Sequence, residues 1–103
     1  MQAFGLYTKF IAQDGQRDAL AKLLLEAASG MDTVEGCELY LVNLQDDDPN
    51  GVWVTELWTD AAAHQASLAL EQAQALIGQA RPLIAGVMQI KLQPVGGKGM
   101  RRA

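Results

Sequence analysis

The chain of 103 residues has the size of one domain, and half of it is hydrophobic, which supports a core and argues against disorder. Its formal net charge is -4, and its 8 Lys and Arg are scattered apart from Lys98, Arg101 and Arg102, so a nucleic-acid or membrane-surface partner is not expected. No apolar run reaches the roughly 18 residues of a membrane span, Met1-Gln2-Ala3-Phe4 lacks the pattern of a signal peptide, and the single cysteine, Cys37, excludes an internal disulfide and a Cys-based zinc site; a cytoplasmic protein is the expectation.

Ala3 to Ala12 alternates as a strand, with Phe4, Leu6, Thr8 and Phe10 on one face and Gly5, Tyr7, Lys9 and Ile11 on the other. Asp14-Gly15 stops it, and Asp14 reads as the N-cap of a helix in which Leu20, Leu23, Leu24, Ala27 and Ala28 recur at helical spacing. Ser29-Gly30 ends that helix. After Gly36, Cys37 to Leu44 forms a second strand, and Val52 to Thr59 a third. Pro49, Asn50 and Gly51 mark a hairpin loop between them, so the two strands are antiparallel. Asp60 caps a short alanine-rich helix from Ala61 to about Leu68, and a second helical pattern runs from Leu70 to Ala80 until Pro82 breaks it. From Val87 to Val95, Met88, Ile90 and Leu92 alternate with Gln89, Lys91 and Gln93, as in a strand.

The order strand, helix, strand, strand, helix, strand predicts an α+β, ferredoxin-like βαββαβ fold: a four-stranded antiparallel sheet with helices on one face. Residues 1–95 make one domain, and 96–103 form a flexible, basic, Gly-rich tail. A sheet with one face open to water should be polar there, yet both faces of the middle strands carry large apolar groups. Tyr40, Val42, Leu44, Trp53 and Leu57 are the set expected to meet a second copy of the chain in a homodimer.

The residues able to do chemistry cluster near the end of the third strand. Glu56 shares a face with Val52, Val54 and Trp58, and a carboxylate at the edge of an apolar pocket has a raised pKa and can act as a base; a structural ion pair is the alternative. His64 follows on the next helix, either beside Trp58 as a second candidate base or as a surface histidine. Trp58 is the expected pocket aromatic, while Tyr7 and Asn43 are candidates for polar contacts to a ligand. A lone histidine without a second ligand-type neighbour does not make a metal site, and Asp46, Asp47 and Asp48 lack the ligand spacing of a calcium loop, so no metal is expected.

The strand opening Gly36-Cys37-Glu38-Leu39-Tyr40, the third strand ending Glu56-Leu57-Trp58, the following helix with His64 and Ser67, and the closing Leu92-Gln93-Pro94-Val95 together resemble the antibiotic biosynthesis monooxygenase family. This family of dimeric α+β barrel proteins includes quinol monooxygenases, and the resemblance spans about Phe4 to Val95. It implies a homodimer with a pocket between sheet and helices in each subunit. The implied reaction is oxidation of a small aromatic hydroquinone or polyphenol by O2 without a cofactor, with Trp58 lining the pocket and His64 or Glu56 positioning or deprotonating the substrate. The alternatives within the same fold are a non-catalytic small-molecule-binding or stress-response module, and an isomerase or lyase of a small metabolite.

Overall fold

The computed structural model describes residues 2–99. Four strands, β1 (Phe4–Ala12), β2 (Cys37–Leu44), β3 (Gly51–Trp58) and β4 (Ile84–Leu92), form one sheet in the order β2-β3-β1-β4, every neighbouring pair antiparallel. Helices α1 (Arg17–Gly30), α2 (Ala61–Ser67) and α3 (Glu71–Ala80) complete the ferredoxin-like α+β fold expected from the sequence. Residues 96–99 follow β4 as exposed coil, and the remainder of the expected tail, 100–103, lies outside the described residues.

The core forms where the apolar stripe of α1 meets the sheet. Leu20 and Leu24 pack against Ala12, Val52, Val54 and Ala80, with Phe10, Tyr40 and Val42 at the margin. Leu20, Val52 and Val54 are at most 1 % exposed, and removing each such side chain from water contributes about 1.5–3 kcal/mol. The strand register extends this face in rows: Tyr40–Glu56–Leu6–Lys91, then Val42–Val54–Thr8–Gln89, then Leu44–Val52–Phe10–Val87.

The structure corrects three expectations. β4 runs Ile84–Leu92, three residues earlier at each end than the expected Val87 to Val95. Asp14 does not cap α1: Gln16 occupies the cap position with no side-chain bond, and Asp14 Oδ1 instead accepts from Asn50 Nδ2 at 3.0 Å, tying the start of the helix to the β2–β3 hairpin. Tyr40, Val42 and Leu44 do not share a face with Trp53 and Leu57. The hairpin loop closes with Gln45 N–H donating to the Gly51 carbonyl at 3.1 Å, which sets Leu44 opposite Val52 and turns Tyr40, Val42 and Leu44 toward the helices. The outer face therefore carries Leu39, Leu41 and Asn43 of β2 with Trp53, Thr55 and Leu57 of β3. It continues through Tyr7 on β1 and Met88, Ile90 and Leu92 on β4. No helix of the described residues is long and apolar enough to cross a membrane.

Candidate active site

A cavity of about 690 Å3 lies between the helix-facing side of β1 and β4 and the helices. Phe4, Leu6 and Phe10 form part of its floor, Leu23 and Leu24 of α1 and Leu76 and Ile77 of α3 part of its roof. One row of the sheet and the helix above it bring together Tyr40, Glu56 and Lys91 with His64 and Ser67 of α2, while Thr8 and Gln89 on the next row, Gln65 of α2 and Arg81 add further polar groups to the wall.

Helix α2 is held in place at several points. Asp60 Oδ1 accepts the Ala63 N–H at 2.8 Å, the expected N-cap, and Ser67 Oγ donates to the His64 carbonyl at 2.6 Å. Gly36 adopts φ +93°, and a Cβ there would lie 2.6 Å from Ala63 Cβ, so only glycine lets the start of β2 approach the helix this closely. The His64 ring is thereby wedged between two aromatics, its centroid 5.2 Å from Phe4 and 5.5 Å edge-on from Trp58.

His64 Nε2 stands 3.9 Å from Glu56 Oε1, too far for a direct hydrogen bond but close enough for one hydroxyl to touch both. Trp58 Nε1–H donates to the same Oε1 at 3.0 Å. Burial pushes the Glu56 carboxyl above its ordinary pKa, a shift that the Trp58 donor opposes. Burial and then the positive charge of Lys91 hold the His64 imidazole below its ordinary value, so it is a neutral base at neutral pH. Tyr40, directly opposite Glu56 across the ladder, is pushed upward by burial and by the Glu56 charge, so its hydroxyl stays protonated. The same two causes raise the Cys37 thiol, which disfavours a nucleophilic thiolate.

Of the expected site residues, the fold brings Glu56, His64 and Trp58 together. Trp58 is wholly buried behind Glu56 and forms no part of the cavity wall. Tyr7 and Asn43 lie on the outer face, Tyr7 opposite Thr55 and Ile90, and Asn43 donating from Nδ2 to Thr55 Oγ1 at 3.4 Å; the ladder alternation turns both away from the cavity. Sequence reasoning missed Tyr40 because it depended on the β2–β3 register, and missed Lys91 and Gln89 because polar residues alternating with apolar ones usually mark a solvent face. Among the described residues, no three His, Cys, Asp or Glu side chains gather as a metal would require.

Residues 3–79 match the family described as antibiotic biosynthesis monooxygenase. A solved structure from Chloroflexus aurantiacus J-10-fl, assigned to the same group, is 42% identical, covers 92% of this chain and 95% of its own, and superposes with a TM-score of 0.85. Structures from Deinococcus radiodurans (22% identity, TM-score 0.81, covering 91% and 94%) and Caulobacter crescentus CB15 (18%, 0.86, covering 92% of each chain) share the fold. None of the curated proteins compared with the chain matches it.

Proposed function

Because the chain belongs to the antibiotic biosynthesis monooxygenase family, we propose that its cavity oxidises a small aromatic hydroquinone or polyphenol with O2. The observation that carries this reading is the facing of His64 and Glu56 across 3.9 Å at the edge of a mainly apolar cavity. A phenolic hydroxyl set between them gives its proton to the neutral imidazole. Glu56, oriented by Trp58, stabilises the imidazolium as it forms. The protonated Tyr40 hydroxyl is a donor for negative charge developing on the substrate.

A deprotonated dihydroxyarene is electron-rich enough to reduce O2 itself, so the protein supplies a base, donors and a mainly apolar pocket. The reaction balances as hydroquinone plus O2 giving hydroxyquinone plus water. One oxygen atom enters the ring, the other leaves as water, and all four electrons come from the substrate.

The working unit in this reading is a homodimer joined through the outer face of the sheet, in the cytoplasm. What supports the dimer is the apolar character of that face: Leu41, Met88 and Ile90 are each at least half exposed, beside Tyr7, Leu39, Leu92, Trp53 and Leu57. A patch of this kind on a monomer favours burial against a second copy.

The test is oxygen uptake by metal-stripped protein with a panel of naphtho- and benzohydroquinones, corrected for autoxidation, with wild type beside His64→Ala. Uptake that survives metal removal and falls about 100-fold or more in His64→Ala is the expected result. Absence of uptake above background overturns the reading, and retained binding of panel members would then identify a non-catalytic binding module.

A further inference from the structure

We propose that the cavity selects aromatic substrates bearing a carboxylate, and that Lys91 is the residue that reads it. This rests on the aromatic-hydroquinone reading of the site and narrows its substrate class. Lys91 lies on β4, in the same cross-strand row as Glu56 with Leu6 between them, and lines the cavity wall. Two strand spacings, about 9.6 Å, separate the Cα positions of Glu56 and Lys91. A ring system resting on Leu6 with its hydroxyl at the Glu56–His64 end would present its opposite edge to the ammonium. Among the described residues Lys91 makes no ion pair, although the other lysine on the sheet, Lys9, pairs with Asp48 at 3.0 Å.

The location suits a charged substituent. β4 is an edge strand, and Val87, Gln89 and Lys91 on its helix-facing side are exposed, so this is the open side of the cavity. A carboxylate held there keeps part of its hydration while the ring enters the apolar space, which avoids the cost of burying a charge. The next row supports the same orientation. Gln89 Nε2 donates to Thr8 Oγ1 at 3.2 Å, leaving Lys91 as the charged donor on the β4 side of the hydroxyl-binding row. The other cation on the cavity wall, Arg81, precedes β4, whose first residue, Ile84, stands seven strand residues from Lys91, about 23 Å along the strand.

The experiment compares binding of 2-naphthol and 6-hydroxy-2-naphthoate, identical rings with and without a carboxylate opposite the hydroxyl, by fluorescence titration of the full chain. Wild type should favour the carboxylate by about tenfold at low salt, with the preference shrinking as ionic strength rises. Lys91→Gln should abolish the preference and leave naphthol affinity unchanged. Lys91→Arg should keep most of it, and Arg81→Gln should keep all of it. Equal wild-type affinities, no measurable binding of either ligand, survival of the preference in Lys91→Gln, or its loss in Arg81→Gln would each overturn the inference. The titration involves no turnover. A missing preference alongside intact oxygen uptake therefore refutes Lys91 recognition alone, and a clear preference without any uptake refutes the oxygenase reading alone.

Discussion

Trp58 and Glu56 form the contact on which the site's geometry depends, and a double-mutant cycle measures it. Trp58 is 0% exposed and its Nε1–H reaches Glu56 Oε1 at 3.0 Å. A hydrogen bond to a charged group is worth about 1.5–3 kcal/mol, a neutral one about 0.5–1.5. Trp58→Phe removes the donor and part of a buried ring, for a combined cost of about 2–4 kcal/mol. With about 2.1 cal/mol/K of unfolding entropy per residue, a domain of this length would melt about 9–18 °C lower. In a Glu56→Gln background the amide oxygen still accepts, but the bond is neutral, so the same Trp58→Phe change should cost about 1 kcal/mol less.

The pH dependence fixes the sign. The folded-state pKa of Glu56 is raised above 4.5, so its ionised form opposes folding once the pH passes that raised value. Glu56→Gln should therefore melt above wild type at pH 8, and the gap should close as the pH falls to 4.5 and below, where the carboxyl is protonated folded or unfolded. Thermal and urea melts of the four proteins at both pH values supply the cycle. A coupling under about 0.3 kcal/mol at pH 8, or a Glu56→Gln protein that melts lower than wild type there, would refute the reasoning.

Further outcomes follow from the same geometry. Gly36→Ala should destabilise by about 1–3 kcal/mol because of its φ of +93° and the 2.6 Å approach to Ala63 Cβ, and Ala63→Gly in the same chain should recover the steric part, read by denaturant melts. Ile90→Lys on the outer face should halve the mass seen by light scattering while leaving the circular dichroism intact; a wild type that is already monomeric would sink the dimer. If the depressed imidazole of His64 is the base, kcat/KM should climb as pH rises through a value below 6.5 and then level off. Lys91→Gln, by removing a nearby positive charge, should move that limb upward, and a wild-type limb above 6.5 would point to a different base.

The sequence by itself determined the elements and their order, because those depend on local periodicity and local stops. The alternation of Phe4, Leu6, Thr8 and Phe10, the helical recurrence from Leu20 to Ala28, the Asp60 cap and the break at Pro82 each act within a few residues, and the structure realises all of them. Glu56, Trp58 and His64 were legible as a cluster because only two residues, Thr59 and Asp60, join the strand that carries the first two to the helix that carries the third.

Pairing was decided only by the tertiary structure. Alternation shows which residues of a strand share a face, but the hairpin closure between Gln45 and Gly51 fixes which face of β2 joins which face of β3. A shift of one residue would have sent Tyr40 outward with Trp53, as the apolar pattern alone allowed. Likewise, Lys91 and Gln89 face the cavity because β4 pairs with β1 in a register that places Leu6 and Thr8 beside them, turning the apolar Met88, Ile90 and Leu92 outward. Strand propensity is local, whereas register is set by contacts between residues far apart in the chain. The position of His64 relative to Glu56 and the orientation of Lys91 therefore appear only once the sheet is assembled.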